Sequence, residues 1–224
     1  MANILRNLDW SVMTDMILSV IPALICITLH ELSHGFVAYK LGDNTAKYMG
    51  RLTLNPIKHI DVMGLISMVV FKFGWAKPVP VNMYNFKNPK KGMAICALAG
   101  PVSNIFIACV FLFLYGLLFI PLQGVSWGIT VLEMIYTTAY LSVALAVFNI
   151  IPVPPLDGSK VLFSFISDSL YEKLMRYERY GMIILLALLA FDILSVPLGI
   201  ATNFLLDKMF IVAEWTFKLS QLIF

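Results

Sequence analysis

The sequence predicts an all-α polytopic membrane protein of four to six transmembrane helices, with a small membrane-associated β-hairpin or sheet between the first two spans. Three observations lead there. Of 224 residues, 60% are hydrophobic and only 13% are charged, where soluble domains carry roughly 25%; mean hydropathy is +0.86. Several apolar segments reach the length of about 20 residues that a bilayer requires. Between the first two lies a stretch broken into short β-branched pieces. Residues 1–224 are read as one membrane-embedded domain, with a core over about 14–165 and C-terminal helices over about 178–224.

The first span runs from about Thr14 to Leu41. Arg6 precedes it as in a signal peptide, but no small-residue cleavage site follows, so the segment is read as retained. The second span, about Ala94 to Leu122, carries no charge, and the third runs from about Ile129 to Ile151. A fourth is placed at about Tyr180 to Gly199, with Asp192 inside it. The last stretch, residues 201–224, sets Asp207, Glu214 and Lys218 on one helical face. That pattern suits an interfacial helix as well as a further span, and the two readings stay open.

The intervening segment reads "MGRLTLNPIKHIDVMGLISMVVFKFGWAKPVPVN". "RLTL", "LISMVVF" and "KPVPVN" read as strands or a hairpin. Pro78 and Pro80 make the last an edge strand or a strand boundary. Such backbone is tolerated at membrane depth only where it is buried in protein or lines a cavity.

Charge fixes the orientation. Of 16 Lys and Arg, nine fall between Lys40 and Lys91 and four between Lys160 and Arg179, while "PLQGVSWG" has none. Basic loops face the cytoplasm, so the clustering reports topology. A net charge of +3 distributed in this way gives no sign of a nucleic-acid partner. Three cysteines in apolar surroundings, an odd number with no spacing pattern, argue against a disulfide framework and a cysteine zinc site.

Polar residues then stand out. "ITLHELSHGF" puts His30, Glu31 and His34 inside the first span, where ionisable groups are expensive and mark function. Positions i and i+4 on a helix differ by about 40° in azimuth. His30 and His34 can therefore aim at one metal ion, with Glu31 beside it as a general base. This is the H-E-x-x-H arrangement of zinc hydrolases. A third ligand is needed. His59, in a basic polar loop, reads better as a solvated surface histidine. Asp157 in "FNIIPVPPLDG" is stronger, because Pro152, Pro154 and Pro155 stop the third span there. His30 lies roughly 20–24 Å into the first span at 1.5 Å per residue. Both motifs thus fall near the cytoplasmic face at overlapping depth. Asn104, in "ALAGPVSNIF" with Gly100 and Pro101, and Asn149 are each read either as packing or as polar lining of the site. Glu133 and Asp192 are left structural or solvated.

"HELSHGFVAYKLGD", "GRLTLNPIKHID", "GWAKPVPVN", "ALAGPVSN" and "NIIPVPPLDG", in this order over about residues 15–165, resemble the site-2 protease family of intramembrane zinc metalloproteases, peptidase family M50. The chain looks like a compact bacterial or archaeal form without PDZ or CBS modules. "HIDVMG" lacks the proline common after the aspartate. The resemblance implies one zinc ion held by His30, His34 and Asp157, with Glu31 as general base. It implies that Asn149 helps to hold an extended substrate, and that Gly64 to Asn82, including Pro78 and Pro80, offers a sheet edge. The substrate expected is a transmembrane protein, cut within the lipid bilayer of a prokaryotic cell membrane toward its cytoplasmic side. A metal-ion transporter, a non-catalytic membrane adaptor and a membrane-bound zincin cutting extramembrane loops are the alternatives.

Overall fold

The computed structural model describes residues 10–64, 67 and 74–224. Its helices, in chain order, are α1 (Trp10–Lys40), the single turn α2 (Thr45–Tyr48), α3 (Pro89–Gln123), α4 (Gly128–Asn149), α5 (Asp157–Phe163), α6 (Asp168–Ala190), α7 (Ser195–Met209) and α8 (Ile211–Ile223). Two 3-10 turns, Pro56–His59 and Met83–Asn85, lie between α2 and α3. Among the described residues, four helical stretches are long and apolar enough to cross a membrane: Leu18–Lys40, Pro89–Gln123, Gly128–Asn149 and Ser195–Ile223.

Helix α3 is the centre of the bundle. It opens on a capped turn, where the Asn88 side chain accepts from the Lys91 amide at 3.1 Å and Pro89 occupies a position that needs no amide. The helices α1, α4 and α8 all pack against it. Ala108 and Leu112 of α3 meet Ala139 and Val143 of α4, Leu206 of α7 and Ala213 of α8 in one buried cluster. Lipid is as apolar as these side chains, so close packing and small residues drive the association. At Gly116 the α8 backbone comes close enough that a methyl would strike the Ala213 carbonyl and the Thr216 hydroxyl.

Two expectations need correction. The fourth span is Ser195–Ile223 rather than residues 180–199. Only Tyr180–Ala190 of that apolar run belongs to α6. Asp192 then adopts a left-handed conformation (φ 59°). Its amide donates to the Leu189 carbonyl and the Ile193 amide to Leu188, both at 3.0 Å. These are the two bonds of a Schellman cap, which ends a helix. The C-terminal segment joins the bundle instead, with α7 against α4 and α8 against α3. Asp207, Glu214 and Lys218 lie on its exposed side.

The hairpin between the first two spans is the second correction. No strand occurs among the described residues. "RLTL" is a series of bends, and "KPVPVN" is extended without a ladder. "LISMVVF" lies outside the described residues except for Ser67. What remains is one antiparallel bridge between Ile60 and Ala76, beside which the Lys77 amide donates to the His59 carbonyl at 2.9 Å. Proline at 78 and 80 removes two donors that a ladder would need.

Asp43 ties this segment to the end of α1. The carboxylate is fully buried. It accepts from the Thr45 amide at 3.0 Å and the Thr45 hydroxyl at 2.5 Å, and from the Asn82 amide and Asn85 side-chain nitrogen at 2.7 Å each. Burial alone would raise its pKa, but these hydrogen bonds outweigh burial and hold it below the usual carboxylate range. Asp43→Ala strands several donors at once and should destabilise the protein on the order of 3 kcal/mol, read as a lower unfolding temperature in detergent. The lowered pKa sets the sign for wild type. Its contribution is complete above the unfolded carboxyl pKa of about 3.9 and is lost as pH falls below it. The difference in melting temperature between wild type and Asp43→Ala should therefore shrink toward low pH.

Candidate metal centre

α1 carries His30 and His34 one turn apart on the face packed against α3. The rings meet edge to face, with centroids 4.6 Å apart, and their Nε2 atoms are 3.1 Å apart. Asp157 arrives from the other side. α4 ends at Asn149, the proline-rich turn unwinds the backbone, and α5 restarts at Asp157 itself. A methyl on Gly158 would strike the Ile150 carbonyl, so this position lets the turn fold back tightly. Asp157 Oδ2 comes to 3.3 Å from His30 Nε2 and 3.1 Å from His34 Nε2.

These three atoms form a nearly equilateral triangle. Ligands of a tetrahedral metal at bond lengths of about 2.0–2.1 Å stand roughly 3.3–3.4 Å from one another, which is close to the spacing seen. Asp157 Oδ2 is buried and accepts no hydrogen bond, although both ring nitrogens are near. All three residues are buried. Two imidazoles and a carboxylate on one small triangle, with an orphaned oxygen at its corner, fit a divalent metal ion with one position open. Among the described residues, this is the His, Cys, Asp and Glu group close enough to hold one.

Glu31 lies beside the triangle and lines the same cavity, of about 480 Å³. Its Oε2 accepts from the Val79 amide at 2.8 Å. The extended segment 77–82 therefore runs directly past the carboxylate, held at its far end by Asp43. The cavity wall includes Pro78, Val79 and Asn149. Asn149 bonds back to the Leu145 carbonyl at 2.9 Å while still lining the space. A larger open cleft of about 900 Å³ continues past Met83 and Tyr84 toward Lys87 and Lys91.

Other positions singled out from sequence fall elsewhere. Pro80 belongs to the extended segment but does not line the cavity. Gly64 donates its amide to Asp61 Oδ1 at 2.8 Å and packs on the Trp75 backbone. Asn104 is buried behind His30 rather than facing the cavity. His59 is not a surface residue. It is 1% exposed, and its Nε2 bonds the Thr53 carbonyl at 2.9 Å, so it serves the loop and not the metal.

Sequence reasoning missed two contributions, from Val79 and Cys96, and read Gly100 only as close packing. The Cys96 carbonyl lies 2.8 Å from His34 Nδ1. A carbonyl only accepts, so Nδ1–H donates and Nε2 keeps its lone pair for the centre. A methyl on Gly100 would lie 2.5 Å from His34 Nε2 and from His30 Cε1. Only the repeated small residues of "ALAG" hinted at so close an approach.

Comparison with known proteins finds zinc metalloproteases among the relatives. The family model "Peptidase family M50" matches residues 116–191, which include Asp157. A Bacillus subtilis (strain 168) protein named "Putative zinc metalloprotease YwhC" is 42% identical over 173 residues, covering 75% of this chain and 78% of its own length. Rip2 of Mycolicibacterium smegmatis, described in the same words, is 30% identical over 74% of this chain and 64% of its own length. MJ0611 of Methanocaldococcus jannaschii, again so described, is 35% identical over 59% of this chain and 62% of its own. No solved structure matches. The chain belongs to peptidase family M50, and with four apolar helices it is a multi-pass membrane protein.

Gly100→Ala should push both rings off the triangle. Divalent-metal affinity, measured by chelator competition, is expected to fall at least about tenfold with helical circular dichroism unchanged.

Proposed function

We propose that the protein is a zinc endopeptidase that hydrolyses peptide bonds in or near the transmembrane segments of other membrane proteins. The observation that carries this reading is the convergence, in one cavity, of the three-ligand triangle and the Glu31 carboxylate beside an extended backbone segment. The donor set suits zinc, the metal in the names of the relatives. The chemistry that zinc supplies when bound is Lewis-acid polarisation of a carbonyl and of a water molecule.

The chain's own groups account for the rest. His30, His34 and Asp157 hold the metal. Glu31 takes the proton from the attacking water and delivers it to the leaving amine. The Val79 amide engages one oxygen of that carboxylate and so fixes its direction.

A transmembrane helix hides its peptide bonds in its own hydrogen bonds, so a substrate must unwind locally before it is cut. Extended backbone beside the cavity can compensate some of the exposed groups. In segment 77–82 most donors are already committed or absent. The Lys77 amide goes to His59, Val79 to Glu31 and Asn82 to Asp43, and Pro78 and Pro80 have none. The Val79 carbonyl, on the same side of the extended backbone as its amide and in the cavity wall, remains to accept from a substrate amide. Asn149, in the cavity wall, is the side chain placed to bond the same strand. The distribution of Lys and Arg supports a cell-membrane location with the cavity toward the cytoplasm.

The test is cleavage of a tagged membrane protein by detergent-purified or vesicle-reconstituted enzyme. Glu31→Gln should retain about one zinc per chain and lose about 10²–10⁴-fold in cleavage rate. Mapping the cut within the transmembrane segment supports the reading. Cuts confined to extramembrane loops would replace it with a membrane-bound loop protease. A Glu31→Gln variant as active as wild type would end it.

A further inference from the structure

His34 has its tautomer dictated by the Cys96 carbonyl, and His30 needs an equivalent partner. The group beside its Nδ1 is the Asn104 side chain. Asn104 Nδ2 lies 3.1 Å from that nitrogen, and Asn104 Oδ1 is buried with no hydrogen-bond partner. Asn104 itself is 0% exposed. In this orientation the amide would donate to Nδ1, placing the ring hydrogen on Nε2. That is the atom 3.1 Å from His34 Nε2 and 3.3 Å from Asp157 Oδ2, and a protonated nitrogen cannot be a ligand.

The two ends of a carboxamide are nearly isosteric, and hydrogen bonding decides which end points where. Turning the Asn104 amide by half a turn places Oδ1 against His30 Nδ1. The ring then donates through Nδ1–H, Oδ1 gains the partner it lacks, and Nε2 presents its lone pair to the centre. Both histidines would then be set alike, one by a backbone carbonyl and the other by a side-chain carbonyl.

We propose that Asn104 is a positioning residue for the metal centre, whose Oδ1 accepts the Nδ1–H of His30 and holds Nε2 as the ligand atom. The placement follows from the packing of α1 on α3. Cys96, Gly100 and Asn104 are spaced by four, as are His30 and His34, and the two helices run antiparallel. Cys96 therefore serves His34, Gly100 makes room for both rings, and Asn104 serves His30. Partners that orient a ligating histidine are worth about 10–100-fold in metal affinity. The inference rests on reading His30, His34 and Asp157 as metal ligands.

The test compares zinc affinity, by competition with a chromophoric chelator, among wild type, Asn104→Leu and Asn104→Asp in detergent. Leucine keeps the approximate volume without an acceptor, and aspartate can only accept. Asn104→Leu should bind zinc roughly 10–100-fold more weakly, and Asn104→Asp within a few-fold of wild type or tighter. A merely structural role would not move a second readout. With only three histidines in the chain, long-range 1H–15N spectra of 15N-histidine-labelled, metal-free protein report the tautomer of each. Wild-type His30 should carry its hydrogen on Nδ1, and in Asn104→Leu that preference should weaken. Zinc binding unchanged in Asn104→Leu, aspartate as damaging as leucine, or wild-type His30 protonated on Nε2 would each overturn the role of Asn104. A wild type that binds no zinc at all would overturn the metal centre itself.

Discussion

Everything else in this structure depends on the close contact between α1 and α3 at Gly100. Two ring nitrogens and a carboxylate oxygen meet within 3.1–3.3 Å of one another, and the two nitrogens belong to bulky rings on a helix packed against another helix. A residue with even one methyl at position 100 would occupy the space that the rings use. Close approach also brings the Cys96 carbonyl within reach of His34, and a polar ring in an apolar bundle needs such a partner. The carboxylate is then delivered by interruption of a helix, since three prolines follow the end of α4 and the chain turns back to start α5 at Asp157. The site combines one rigid helix face with one unwound turn.

The loop region extends this logic to the side where Glu31 sits. An extended backbone has little to hold it in place by itself. Here its amides are claimed one after another, by the His59 carbonyl, by Glu31 and by Asp43. Asp43 stands just past the end of α1, outside the triangle, and anchors the same segment whose Val79 amide orients Glu31. Buried polar groups fully satisfied in this way rigidify their surroundings. The geometry of the Glu31 carboxylate is therefore set from both ends of segment 77–82, which has no regular secondary structure.

Much of the centre was legible in the sequence because its signals are local. Histidines four apart with a glutamate between them specify a helix face, and a carboxylate after a proline-stopped span specifies a depth. Helix α6 was misjudged for the opposite reason. Hydropathy registers the run from Tyr180 to Gly199 as continuous, but says nothing of a left-handed turn at Asp192. His59 misled because a basic loop suggests solvent, whereas the loop folds over its own histidine. The hairpin was inferred from β-branched composition, which cannot reveal that the amides it needs are spoken for elsewhere. Val79 and Cys96 act through backbone atoms, so no residue type could have announced them.

The stripe on α3 that faces α1 has one more consequence. Cys96, Gly100 and Asn104 are compact and buried, each one turn from the next. A run so uniform is nearly degenerate: sliding α3 by a turn along α1 would still pack small residue against helix. Helices that insert into a bilayer separately and then associate have to choose among such slips. Only one alignment sets the Cys96 carbonyl on His34 and the Asn104 amide on His30 while leaving Gly100 between them. The polar pair thus acts as a vernier, much as a single buried asparagine fixes register in a coiled coil. The groups that meet the two histidines are also those that tell the two helices where to stop.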